Sequence, residues 1–192
     1  MAEGTVSVAG VRPGGARLLR GAPAVIAMTA AVVVVAIASL PLDEALVAAF
    51  TGAVLVVLSA IDLERGIIPN RIVLPAAGIV LLAQIALFPG QALEWVLAAL
   101  LTAVAFMIPQ LLGRAWLGMG DVKLALLLGA ALGWGVVGAV LLAFACVFPV
   151  ALAILIRGGV AARKRAIPFG PFLSLGGLIV LFGPHLAGLP TG

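Results

Sequence analysis

A chain of 192 residues that is 65% apolar and only 9% charged departs far from the roughly 45–50% and 25% of soluble domains, and so is not a water-soluble globule. Its single cysteine excludes an internal disulfide framework and a cysteine-based zinc site. Its net charge of +4 is read as a topology signal and not as a nucleic-acid footprint. The fold class that remains is all-α: a polytopic helical bundle in a lipid bilayer. A short basic cytoplasmic N-terminus, residues 1–21, precedes one membrane-embedded domain over residues 22–192.

Seven spans are predicted from apolar runs bounded by charge or by Gly/Pro punctuation. They run Pro23–Leu40, Glu44–Ala60, Ile72–Phe88, Ala92–Leu112, Val122–Trp134, Val136–Ile156 and Phe172–Leu189. The fifth and sixth are one apolar stretch, too long for a single crossing at about 1.5 Å per residue. It is divided at Gly133-Trp134-Gly135. The first span could instead be a secretory signal ending at Ala36-Ile37-Ala38, but its apolar stretch exceeds the usual length of about 7–15 residues, which favours an uncleaved anchor.

Basic residues collect in cytoplasmic loops, and they agree with this count. Arg12, Arg17 and Arg20 precede the first span, Arg65 and Arg71 follow the second, Arg114 and Lys123 separate the fourth from the fifth, and Arg157, Arg163, Lys164 and Arg165 follow the sixth. All 11 Lys and Arg fall on one side. The N-terminus is therefore expected in the cytoplasm and the C-terminus outside. Trp95, Trp116 and Trp134 read as interfacial anchors, and His185 and Cys146 as packing residues.

Ionisable residues are costly near a bilayer, so the few left over carry the functional information. Asp62 closes the second span and Asp121 opens the fifth. Two crossings separate them, and an even number of crossings returns the chain to the same face, so the two carboxylates can meet. Close carboxylates share a proton because both cannot ionise cheaply. The ionised member can then take a proton from water attacking a peptide carbonyl, while the protonated member polarises that carbonyl and protonates the leaving amine. Gly118 and Gly120 suit such a site by allowing close approach and positive φ beside Asp121. Plainer readings stay open here: Asp121 as the N-cap of its helix, and Asp62 as a solvated carboxylate near Arg65. No metal or cofactor is expected. Lys123 either steers a substrate carboxylate or tunes Asp121, or snorkels to the interface. Glu64 is expected in solvent.

These motifs carry a family resemblance. Ile61-Asp62-Leu63-Glu64-Arg65-Gly66-Ile67-Ile68-Pro69-Asn70, followed by Leu74-Pro75, resembles the segment of prepilin peptidases (type IV leader peptidases) that holds their first catalytic aspartate. Gly118-Met119-Gly120-Asp121-Val122-Lys123-Leu124 is similar to their GxGD segment, and Ile167-Pro168-Phe169-Gly170-Pro171-Phe172-Leu173 to the segment before their last helix. The resemblance implies an aspartic endopeptidase of the inner membrane, with Asp62 and Asp121 as the catalytic pair and Gly118 and Gly120 shaping the active-site loop. Its partners would be prepilin or pseudopilin substrates, cut at the cytoplasmic face, and the surrounding lipid. Larger members also N-methylate the new terminus through a module with paired cysteines; with one cysteine here, that activity is not expected. Many members have an acidic residue where Asn70 stands. Two alternatives from other classes are a proton-coupled transporter and a non-catalytic pilus-assembly scaffold.

Overall fold

In hydrocarbon every backbone N–H and C=O must find its partner inside the segment, and for chains this apolar the helix is the available solution. The computed structural model describes residues 15–112, 118–158 and 168–186, and among them the regular structure is entirely helical. The helices are α1 (Gly15–Ser39), α2 (Leu42–Arg65), α3 (Asn70–Leu87), α4 (Ala92–Leu111), α5 (Met119–Leu132), α6 (Val136–Gly158) and α7 (Gly170–Leu186). Short 3-10 turns at Pro89–Gln91 and Gly133–Gly135 join α3 to α4 and α5 to α6.

All seven expected elements are present, with shifted ends. Helix α1 starts at Gly15, well before the expected Pro23, and α2 runs through Asp62 to Arg65 instead of ending at Ala60. Gly66 stops it in the left-handed conformation (φ 65°), its N–H donating to the Asp62 carbonyl at 2.8 Å. The reversal at Gly133 is likewise built on a positive φ of 54°. The count of seven crossings is approximate. Five segments are long and apolar enough to span a bilayer: Ala22–Ser39, Leu42–Arg65, Asn70–Leu87, Pro89–Leu111 and the continuous Met119–Arg157.

Two helices account for the difference: α7, with 17 residues, is shorter than the spanning segments, and α5 is continuous with α6. Helix α5, with 14 residues, reaches only about 21 Å, against the roughly 30 Å of a hydrocarbon core. It is tolerable because it lies inside protein: nine of those residues are buried, and α2, α3, α4 and α7 all pack on it. Leu55, Leu58, Val73, Val80, Leu124, Leu127, Leu128 and Leu173 form the core around it. Small residues let the backbones close in. A Cβ on Gly129 would lie 2.6 Å from the Ala98 carbonyl oxygen on α4, and one on Gly176 would strike the Ala139 carbonyl on α6. The outer surface presents Ile26, Val34, Leu82, Leu100, Leu141 and Phe148, as a lipid-facing surface should. Helix α1 joins through a smaller cluster of Ala36, Ala48 and Phe182.

The charge pattern follows the topology. Among the described residues, Arg65 ends α2, Arg71 opens α3, Lys123 opens α5 and Arg157 ends α6, all at the end of the bundle that carries Asp62 and Asp121. Arg114, Trp116 and the Arg163-Lys164-Arg165 cluster lie outside the described residues.

Candidate active site

Asp62 sits in the last turn of α2, on the stripe that also carries Leu55 and Leu58 and faces the core. That position turns the carboxylate inward, leaving it 6% exposed, while Glu64 and Arg65 point out. The reading of Asp62 as a solvated interfacial carboxylate is therefore overturned: the stripe that buries the leucines buries the acid too.

Asp121 occupies the third position of α5 and is 8% exposed. The N-cap is Gly118, so the expectation that Asp121 itself caps the helix is corrected. The two residues exchange hydrogen bonds instead. The Gly118 N–H donates to Asp121 Oδ2 at 3.0 Å, and the Asp121 N–H donates to the Gly118 carbonyl at 3.0 Å. This closes one helix start and holds one carboxylate oxygen still, with the partial positive charge of the helix N-terminus behind it.

Helix α7 supplies the third wall. Phe169 stacks between Phe106 of α4 and Phe144 of α6, with ring centroids 6.3 and 5.2 Å apart. This anchors the start of α7 so that Gly170 meets Asp62. A Cβ there would lie 2.6 Å from Asp62 Oδ2, so the carboxylate sits directly against the Gly170 backbone. Each acid thus lies against a helix start, Asp121 at that of α5 and Asp62 at that of α7.

The glycines contribute differently from expectation. Positive φ is not what Gly118 and Gly120 provide, since among the described residues only Gly66 and Gly133 adopt it. Gly118 is extended (φ −78°, ψ 154°) and has ordinary space around it. Gly120 is needed for room: a Cβ would come within 2.9 Å of the Ile68 Cβ. Ile68 also approaches Gly170, whose Cβ would lie 3.2 Å from Ile68 Cδ1. It fills the gap between the two glycines beside both acids. The residue reading assigned no role to Ile68 or Gly170, although both lie in the family-like blocks. Nothing in local sequence says that they touch.

Lys123 stands two positions from Asp121, about 200° around the helix, and faces away from the acids. Its ammonium donates to Asn70 Oδ1 at the start of α3. Neither tuning of Asp121 nor snorkelling describes that contact. Cys146 is half-buried in α6, and the His185 side chain lies outside the described residues. No cluster of three or more His, Cys, Asp or Glu residues able to hold a metal occurs among the described residues.

At the far end of the bundle, the buried Gln84 of α3 donates from Nε2 to the Ala131 carbonyl at 3.0 Å. A cavity of about 420 Å³ opens beside it, lined in part by Glu44, Gln91 and Trp95.

Fold and site together define a multi-pass helical membrane protein in which two carboxylates far apart in sequence are buried at the same end of the bundle. The sequence profile of the type IV leader peptidase family matches residues 49–156, and the chain belongs to that family. The chain is 31% identical over 154 residues to a prepilin leader peptidase/N-methyltransferase of Burkholderia pseudomallei (strain 1026b), covering 74% of this chain and 48% of that protein. It is 35% identical over 136 residues to a protein of the same description from Aeromonas salmonicida (strain A449), covering 67% of this chain and 46% of the relative. Against that of Stutzerimonas stutzeri it is 30% identical over 132 residues, covering 66% and 46%. The chain therefore spans about half the length of these curated relatives. No solved structure matches it.

Proposed function

We propose that this protein is an aspartic endopeptidase of the inner membrane that removes the short basic leader from type IV prepilin-like substrates at the cytoplasmic face. Residues 22–192 act as one peptidase domain, and Asp62 and Asp121 are the catalytic pair. The observation that carries the reading is that both carboxylates are buried at one end of the bundle, Asp62 against Gly170 and Asp121 next to Gly120, with Ile68 packed against both glycines. Membership of a leader peptidase family supports it, and the collection of Arg65, Arg71, Lys123 and Arg157 at the same end supports the cytoplasmic placement.

The chemistry follows from one proton shared by two acids. The ionised carboxylate accepts a proton as a water oxygen bonds to the scissile carbonyl carbon, and the protonated carboxylate hydrogen-bonds the carbonyl oxygen as it gains charge. When the C–N bond breaks, the amine leaves with a proton from the pair. Atoms and charge balance without a covalent enzyme intermediate. Gly118 holds Asp121 through its amide, and Gly120 and Gly170 leave the backbone close to both acids.

The test is co-expression with a prepilin bearing a basic leader and an apolar helix, with cleavage followed by the shift in substrate mass. Asp62→Asn and Asp121→Asn are each expected to abolish processing while the protein still inserts and folds. Substantial cleavage by either folded variant would overturn the assignment. Ion flux in proteoliposomes that either substitution removes would favour the transporter class instead.

A further inference from the structure

We infer that Lys123 and Asn70 are positioning residues for the carboxylate pair. This rests on the proposed dyad and explains what sets its spacing. Helix α2, which carries Asp62 in its last turn, is joined to α3 by four residues, Gly66 to Pro69. Gly66 ends α2 in the left-handed conformation, and Pro69, whose ring fixes φ, is the N-cap of α3, so the connection is short and restricted at its α3 end. Between them Ile68 is buried, wedged against Gly120 and Gly170. Gly120 precedes Asp121, and Gly170 faces the Asp62 carboxylate. The next residue after Pro69 is Asn70, which accepts the hydrogen bond from Lys123, two positions beyond Asp121.

A closed ring results. It runs from Asp62 through the connection to Asn70, across the side-chain bond to Lys123, and back along α5 to Asp121, with Ile68 filling its middle. The ring has one non-covalent tie on its outer edge, and that tie is the Lys123–Asn70 bond. Without it, the first turn of α3 and the connection lose their tie to the start of α5 while the rest of α3 stays packed, so that Ile68 can shift in the gap and the two acids lose their fixed separation. The tie is exposed, so it adds little to the stability of a core built elsewhere. Its effect is expected on geometry, where misplacement by about 1 Å can cost on the order of a hundredfold in rate.

The experiment is steady-state cleavage of a purified prepilin by the full-length protein in detergent, comparing Lys123→Met, Asn70→Ala, Asn70→Asp and the Lys123→Met/Asn70→Ala double variant. Each of the first two is expected to lower kcat about tenfold with KM within about twofold, the pattern of a transition-state geometry defect. Asn70→Asp keeps the acceptor and is expected to retain wild-type kcat. The double variant should be no worse than either single change, because both break one bond. Wild-type kcat in Asn70→Ala, independent multiplying losses in the double variant, or an Asn70→Asp variant as slow as Asn70→Ala would each overturn the clamp. Asp62→Asn and Asp121→Asn run alongside separate the two claims. If those are dead while Lys123→Met is unimpaired, only the clamp fails; if they cleave, the dyad fails and the clamp with it.

Discussion

Both ends of the bundle bury polar side chains, and they put them to different uses. Where α3 stops and α5 turns, the Gln84 amide is spent on the Ala131 carbonyl, which has no helical partner so near the end of α5. Nearby, Glu94 Oε1 accepts from the Trp134 N–H at 3.5 Å across the turn. These contacts complete backbone hydrogen bonding at a chain reversal. At the opposite end, Asp62 and Asp121 are equally buried, yet Asp121 is held by the Gly118 amide at the start of α5 and Asp62 lies against Gly170 at the start of α7. A fold that needed only to satisfy backbone would not place two carboxylates together, because burying a charge is costly unless it is paired with an opposite one. The lesson is that burial alone does not mark a site; the kind of partner does.

Five substitutions break or sharpen that contrast. The largest effect is expected from Asp62→Asn and Asp121→Asn, each lowering cleavage beyond the roughly 10²–10⁴-fold attributed to general acid–base groups, with unchanged melting in detergent. Gly170→Ala comes next. The added methyl falls 2.6 Å from Asp62 Oδ2 and must displace that carboxylate, so kcat is expected to fall about a hundredfold while the protein remains folded, as judged by elution volume and circular dichroism.

At the other end the signs reverse. Gln84→Leu leaves the Ala131 carbonyl unpartnered and is expected to cost about 1–3 kcal/mol of stability, measured by denaturation in mixed micelles, with kcat per folded molecule unchanged. Glu94→Ala breaks a longer, exposed contact and should stay within about 0.5 kcal/mol. A loss of kcat in Gln84→Leu at constant stability would erase the distinction between the two ends.

The architecture was largely legible from the residues. Apolar runs and the split at Gly133-Trp134-Gly135 correspond to helices found in the structure, and Arg65, Arg71, Lys123 and Arg157 lie at one end of it. These features are local or additive, so a linear reading captures them. The site was legible in part. Asp62 and Asp121 stood out because charge is scarce in such a chain, and parity allowed them to meet. The end of α2 was misplaced because the acidic and basic residues after Ala60 look like a loop, whereas Gly66 is what stops the helix.

What sequence alone determined, then, is composition-driven: a helical membrane protein, its crossings, and two acids returned to one face. Tertiary structure decided which atoms surround those acids. That Gly170 meets Asp62, that Ile68 fills the space between Gly120 and Gly170, and that Lys123 turns from Asp121 toward Asn70 all depend on how four helices pack. Each contact joins residues tens of positions apart, and their closeness comes from side-chain volumes fitted across several interfaces at once. No residue type or spacing along one segment encodes that fit.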